Sequence, residues 1–217
     1  MNDRVIHSAQ LVTADAVLSN GWVAWQNDTI RATGTGDEWR SFATAETTVT
    51  DAAGHYLTAG FVDIHCHGGN GAAFDIGADA IRTALSAHRA SGTTRSVISL
   101  VSGDHASLVD SLSTIAELVA SDPLVLGSHL EGPFLHQSFK GAHSPAVLRN
   151  PTTAEIDDLL AAANGTLRQI TIAPELDGAL AAIEQLSAAG VTVAIGHTSA
   201  DYDQTLAAID AGARLLT

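Results

Sequence analysis

The sequence predicts an α/β protein in which a small portion of a β-sandwich, residues 1–56, precedes an incomplete (β/α) barrel of the TIM type over residues 57–217. Three observations carry this. After residue 57, short apolar runs alternate with helix-length stretches, the rhythm of parallel strands joined by right-handed crossovers. No Gly-x-Gly-x-x-Gly follows the first of these strands, which speaks against the competing open, doubly wound sheet. Histidine or glutamate stands at the carboxyl end of several different strands, where a barrel collects its active-site residues. A barrel needs eight strands, whereas this chain offers five strand–helix units and the first residues of a sixth strand.

Residues 5–13, 21–26 and 29–33 read as strands from their β-branched and alternating character, with Asn27-Asp28 as the hairpin turn between the last two. These are too few to close a sandwich, so other strands are expected to complete the unit. The barrel strands are expected at 60–67, 94–101, 124–130, 168–173, 191–197 and 214–217. Helices are expected at 78–91, ending before Gly92, and at 104–120. A third is expected after Thr152, whose spacing to Glu155 is that of a capping box. The last two are expected over 177–189, stopping at Gly190, and from Ser199 or Asp201 to Gly212.

Hydrophobic residues make up 46% of the chain and charged ones 16%, enough to build a core and too apolar for a disordered chain. A formal charge of −14 lacks the basic footprint that nucleic acid or an anionic membrane demands. The single cysteine, Cys66, excludes an internal disulfide and a thiolate zinc site, which suits a reducing compartment. No basic-then-apolar leader opens the sequence and no apolar run reaches spanning length, so a cytoplasmic location is expected.

The chain is organised around residues 57–71, where an apolar run ends in His65-Cys66-His67 and a glycine-rich turn. Strand alternation puts Asp63, His65 and His67 on one face, and Cys66 opposite, where it reads as a buried small hydrophobe. Two imidazoles so spaced form half of a divalent metal site, although such pairs also occur in exposed loops and hydrogen-bonded turns. His129 and Glu131 share a face of the third strand, and Glu131 lies where the strand meets a Gly-Pro loop. A carboxylate there either binds a ligand or caps nearby backbone amides. His197 ends the fifth strand in the same way. His65, His67, Glu131 and His197 would then meet at one rim, a nitrogen–oxygen set suited to zinc or a similar ion. Glu175 is read as a helix-start carboxylate, and His129 as a hydrogen-bond support for Glu131, with Asp63 in a similar supporting role. His7, His55, His88, His105 and His136 fit no site.

The stretches Gly-Phe-Val-Asp-Ile-His-Cys-His-Gly (60–68), His-Leu-Glu-Gly-Pro-Phe (129–134), Lys-Gly-Ala-His (140–143) and Gly-His-Thr (196–198), in this order, resemble the N-acetylglucosamine-6-phosphate deacetylases of the amidohydrolase superfamily. The resemblance implies a metal-dependent removal of acetate from the sugar phosphate. It makes Glu131 and His197 ligands of a principal metal, most plausibly zinc, and His65 and His67 part of a second position. His143 would contact the sugar. It also implies a homodimeric enzyme with a further metal-binding histidine, phosphate-binding residues and an aspartate general base, all placed beyond Thr217. The single lysine, Lys140, falls in the loop after the third strand, which excludes the branch that bridges two metals by a carboxylated lysine at the fourth. On this reading the 217 residues alone are poorly soluble and inactive. An amidohydrolase of another N-acyl or cyclic amide, and a non-catalytic metal-binding fragment, remain as alternatives.

Overall fold

The computed structural model describes residues 3–217 and divides the chain into two compact units, Met1–Gly60 and Phe61–Thr217. In the first, β1 (Asp3–Val12) pairs antiparallel with β2 (Val17–Gln26), which pairs antiparallel with β3 (Thr29–Thr35). The β2–β3 turn falls on Asn27-Asp28, and Asn27 takes φ +52°, a left-handed conformation that asparagine tolerates better than most residues. Two strands not foreseen, β4 (Thr48–Asp51) and β5 (Tyr56–Leu57), add parallel to β1. Their short, largely exposed sequences carry little periodic signal. Because β5 pairs with β1, the first unit extends past residue 56 to Gly60. Its core is Val5, Trp22, Ala24 and Trp39, the last supplied by a 3-10 turn at Glu38–Phe42 and stacked on His7 at 4.2 Å.

The second unit is a parallel sheet of six strands that neighbour one another in chain order: β6 (Phe61–Asp63), β9 (Thr93–Leu100), β10 (Val125–Glu131), β11 (Leu167–Ile172), β12 (Thr192–Ile195) and β13 (Leu215–Leu216). A hairpin of β7 (Gly68–Gly69) and β8 (Ala72–Ala73) follows β6. The connecting helices are α1 (Ala78–Ala90), α2 (His105–Ser121), α3 (Thr153–Ala163), α4 (Ala179–Ala188) and α5 (Tyr202–Asp210). The four inner strands are buried along most of their length, as parallel strands covered on both faces must be.

The sheet curls. On a flat sheet the five spacings from β6 to β13, each ~4.8 Å, would put their ends roughly 24 Å apart. Instead Thr217, just after β13, has its hydroxyl 3.3 Å from Nδ1 of His65, just after β6. This is an arc of a barrel, and its mouth is lined by the carboxyl ends of the strands.

Three of the five helix starts carry a side-chain cap, and α1 and α4 begin after Gly77 and Gly178 without one. Asp104 and Thr152 accept the backbone amides of Ser107 and Glu155, and Asp201 forms a reciprocal capping box with Gln204. The box expected at Thr152 is only half made, because the Glu155 carboxylate binds Arg149. Asp201→Ala should lower stability by about 1 kcal/mol, read from a denaturant melt, since it leaves the first amides of α5 without their acceptor.

Three expected strands are shorter than predicted, the sixth reduced to Leu215–Leu216 and the first and fifth with consequences for the histidines. The first stops at Asp63, whose Oδ1 accepts the His65 amide at 3.1 Å and turns the chain out of the sheet. The fifth stops at Ile195, and His197 has φ +52°. Both histidine sites therefore lie on loops past the strands, not on alternating strand faces.

Candidate metal centre

Glu131, the last residue of β10, is the hub of the mouth. It is only 8% exposed, and its Oε1 lies 3.2 Å from Nε2 of His65 and 3.1 Å from Nε2 of His197. Its Oε2 lies 2.8 Å from Nε2 of His67 and 3.3 Å from Nε2 of His143. The strand can deliver Glu131 here because the next residue is glycine. Gly132 has φ +85°, and a Cβ on it would come 2.2 Å from Oγ of Ser102, the hydroxyl that donates to the Glu131 carbonyl at 3.1 Å.

Burial opposes ionisation of Glu131, but hydrogen bonds from His143 and His67, with the charge of His65 and a bond from His197, hold the carboxyl well below the usual carboxylate range. In return the bond to Glu131 raises the pKa of His67 against the opposing effect of burial. The mouth thus contains one fixed anion faced by four imidazoles.

The outer bonds of two of these rings decide what their inner nitrogens offer. His197 has Nδ1 2.8 Å from the Phe139 carbonyl, so in the neutral ring Nδ1 carries the proton and Nε2 presents a lone pair toward Glu131. His143 is the reverse: its Nδ1 accepts the Ser102 amide at 3.2 Å, so the neutral ring carries its proton on Nε2 and donates it to Glu131. With Nδ1 bonded to the carbonyl, the contact of Nε2 with the carboxylate at 3.1 Å calls for positive charge there, supplied by a second proton on the ring or by a metal ion beside the two atoms. His65 and His67, with Nε2 atoms 3.2 Å apart, add two more nitrogens to the same space. Ligand atoms on one tetrahedral zinc, with bonds of ~2.1 Å, stand about 3.4 Å apart, so the spacings fit a shared ion. Two His/Glu groups overlap at Glu131, His65–His67–Glu131 and Glu131–His143–His197, and because the inward nitrogen of neutral His143 carries a proton, Glu131, His65, His67 and His197 are the residues that fit a divalent metal.

His129 differs from its expected role. It is fully buried, and its ring nitrogens are paired with the Ser99 and Thr171 hydroxyls at 2.9 Å each, not with Glu131. Its ring instead backs His65 edge to face, 4.6 Å between centroids. Ser99 and Thr171 were missed. The signal for them is register, since Ser99 stands beside His129 and Thr171 beside Glu131 in the sheet.

Burial pushes the His129 pKa down to about 3. The unfolded ring protonates below about 6.5 while the folded one stays neutral until near 3, so acid favours the unfolded chain and stability is lost as pH falls across that window. Between pH 7 and 5 the metal-free chain should lose about 2 kcal/mol more than His129→Gln does, a difference that paired denaturant melts will read.

Asp63 faces the loop amide, and it groups with Cys66 and His88 away from Glu131. Burial pushes the Cys66 thiol up to about 12, with a hydrogen bond to Asp63 adding to the shift, so the thiol is no nucleophile. His88 is 3.0 Å from the Gly68 carbonyl, and His105 bridges Glu155 and Asp158 at 3.5 and 3.3 Å. Glu175 does not start α4, whose N-cap is Gly178. It binds Thr198 and Ser199 instead.

Comparison with known proteins places the family and the fold. Residues 56–217 match the model of the amidohydrolase family. Among curated relatives, an N-acetylgalactosamine-6-phosphate deacetylase of Escherichia coli O157:H7 is 37% identical, over 76% of this chain and 45% of its own. An N-acetylglucosamine-6-phosphate deacetylase of Vibrio furnissii is 33% identical, over 73% of this chain and 41% of its own. Among solved structures, a mutant N-acetyl-D-glucosamine-6-phosphate deacetylase from Mycobacterium smegmatis, in complex with N-acetyl-D-glucosamine-6-phosphate, superposes with a TM-score of 0.90. It is 41% identical, over all of this chain and 55% of its own. The chain spans about half the length of the curated relatives it matches. With a parallel sheet curled around a His/Glu centre and a family match over most of its length, the chain belongs to the amidohydrolase family, whose members are metal-dependent hydrolases.

Proposed function

We propose that these residues form the metal-binding part of an enzyme that removes acetate from N-acetyl-D-glucosamine 6-phosphate, with residues 61–217 as its catalytic portion. The observation that carries the reading is the convergence of the Nε2 atoms of His65, His67 and His197 on the Glu131 carboxylate at 2.8–3.2 Å. Glu131 and His197 would hold the principal ion, most plausibly zinc, and His65 and His67 a second position. When bound, such an ion lowers the pKa of water and polarises an amide carbonyl.

The chain's own groups supply orientation and one proton. Phe139, through its carbonyl, keeps the His197 proton on Nδ1. Ser102, through its amide, keeps the His143 proton on Nε2, the edge that faces the centre, so His143 is placed to donate a hydrogen bond to a substrate oxygen there. Buried His129 stays neutral and props the His65 ring. Asp75, the carboxylate whose charge is felt by His67 and His143, is tied to the Val101 amide at 3.1 Å, and hydrolysis of an amide needs a general acid–base worth typically ~10²–10⁴-fold in rate. The aspartate that the family resemblance implies would supply it from outside residues 1–217.

The galactosamine isomer is the second reading, favoured by the similarity to the Escherichia coli deacetylase. Acetate release from the two N-acetylhexosamine 6-phosphates and ring opening of a cyclic amide should be measured on the zinc-loaded chain, alone and extended to a complete barrel. The expected outcome is no useful acetate release by the 217 residues alone and preferred release from the glucosamine substrate by the extended protein. Preference for the galactosamine isomer would select the second reading. Hydrolysis of the cyclic amide with both sugars untouched would overturn the proposal.

A further inference from the structure

Beyond β11 the chain runs through Ala173 and Pro174 to Glu175, and this side chain reaches the loop that follows the neighbouring strand, β12. Its Oε1 accepts the Ser199 amide at 2.6 Å and the Ser199 hydroxyl at 3.0 Å, and its Oε2 accepts the Thr198 hydroxyl. The Thr198 oxygen accepts the Ala200 amide in turn, at 2.8 Å. The residues gripped in this way come directly after His197, which has φ +52° without being glycine. There is little freedom on the other side either. A Cβ on Gly196 would meet the methyl groups of Thr217 and Thr171 at 2.5 and 3.0 Å, so the strand end is packed close up to the turn at residue 197.

The bonds of His197 itself hold only one side of this turn. Its Nδ1 meets the Phe139 carbonyl at 2.8 Å and its own carbonyl, in the peptide that joins it to Thr198, accepts the His136 amide at 3.0 Å, but neither bond reaches the Thr198–Ser199 peptide. Glu175 does. We propose that Glu175 is a positioning residue for the metal centre: by clamping Thr198 and Ser199 from β11, it keeps His197 in the left-handed conformation that aims Nε2 at Glu131. A carboxylate suits the task because three donors converge on two oxygens. A glutamine would keep the acceptor at one oxygen and have to reverse the bond at the other. This inference rests on the metal-centre reading above and adds to it a residue that never touches the ion.

Metal affinity of the full chain, measured by chelator competition, together with the visible absorption of the cobalt(II)-loaded form, tests it. Groups that support ligands from outside typically contribute 10–100-fold to metal affinity, so Glu175→Ala should bind zinc about 10–100-fold more weakly and alter the cobalt spectrum. Glu175→Gln should fall between that variant and the parent. Thr198→Val, which keeps the branched shape and removes the hydroxyl, should weaken binding in the same direction. It answers the question if Glu175→Ala fails to fold. Unchanged affinity and spectrum in folded Glu175→Ala, or in Thr198→Val and Glu175→Gln together, would overturn the inference. If Glu131→Ala also leaves binding unchanged, the metal-centre reading itself has failed. If Glu131→Ala abolishes binding and the Glu175 variants do not, only the positioning role is lost.

Discussion

Glu131→Ala will bind divalent metal more than about 100-fold more weakly than the parent chain, beyond the range expected for groups that only support a ligand. Both oxygens of this carboxylate face imidazole nitrogens at 2.8–3.3 Å, and it belongs to both donor groups of the mouth. Without it the histidines have no anion to offset the charge of an ion. His197→Ala should come next in effect, because it removes the nitrogen whose lone pair is fixed by the Phe139 carbonyl. His65→Ala should cost less, since His67 remains beside it. His143→Ala separates the present assignment from a simple count of nearby histidines. Its inner nitrogen carries a proton in the neutral ring, so the variant should keep metal affinity within a few-fold while weakening any oxygen ligand bound beside the ion. Equal metal content in Glu131→Ala and the parent, measured by elemental analysis after dialysis, would end the ligand assignment.

Metal affinity will fall steeply with acid. The hydrogen bond to Glu131 raises the pKa of His67, so this ring takes up its proton at a higher pH than an ordinary histidine. A protonated imidazole cannot ligate, and the proton must leave before the ion enters. Below the raised pKa each unit of acidification should therefore cost about tenfold in affinity for every proton displaced. The sign follows from the same bond: what stabilises the protonated ring in the metal-free chain disfavours its exchange for metal. Glu131→Gln, which removes the anion, should bind weakly at every pH and show a shallower slope. Calorimetry in two buffers of different ionisation enthalpy will count the protons released, and a pH-independent affinity between pH 8 and 6 would contradict the argument.

The site was legible to different depths. His65, His67, Glu131 and His197 were found from their places after apolar runs, and those four side chains do meet. The reason given for the first pair was only partly right. Alternation along a strand was to bring the two rings together, but the strand ends at Asp63 and a loop does it, guided by the bond from Asp63 to the His65 amide and by the β7–β8 hairpin. A strand and a loop share the same two-residue spacing here, so pattern alone does not separate them. For His129 the sequence placed the residue on the inner face, yet its partners came from β9, in register with it, and from β11, two residues along in register with Glu131, both distant in sequence. Glu175 was assigned to its own helix because local spacing suggested an N-terminus. Its true partners lie on the next loop, 23 and 24 residues away.

By itself the sequence determined the alternation of strands and helices, the capped helix starts at Asp104, Thr152 and Asp201, and the residue types able to hold a metal. All of these depend on interactions a few residues long, whose preferences are written into the local chain. Tertiary structure decided which nitrogen of each histidine faces Glu131 and whether it offers a proton or a lone pair. That choice is made by a carbonyl 58 residues from His197 and an amide 41 residues from His143. A ring's tautomer follows the partner at its far side, and only the curl of the sheet brings those partners into reach.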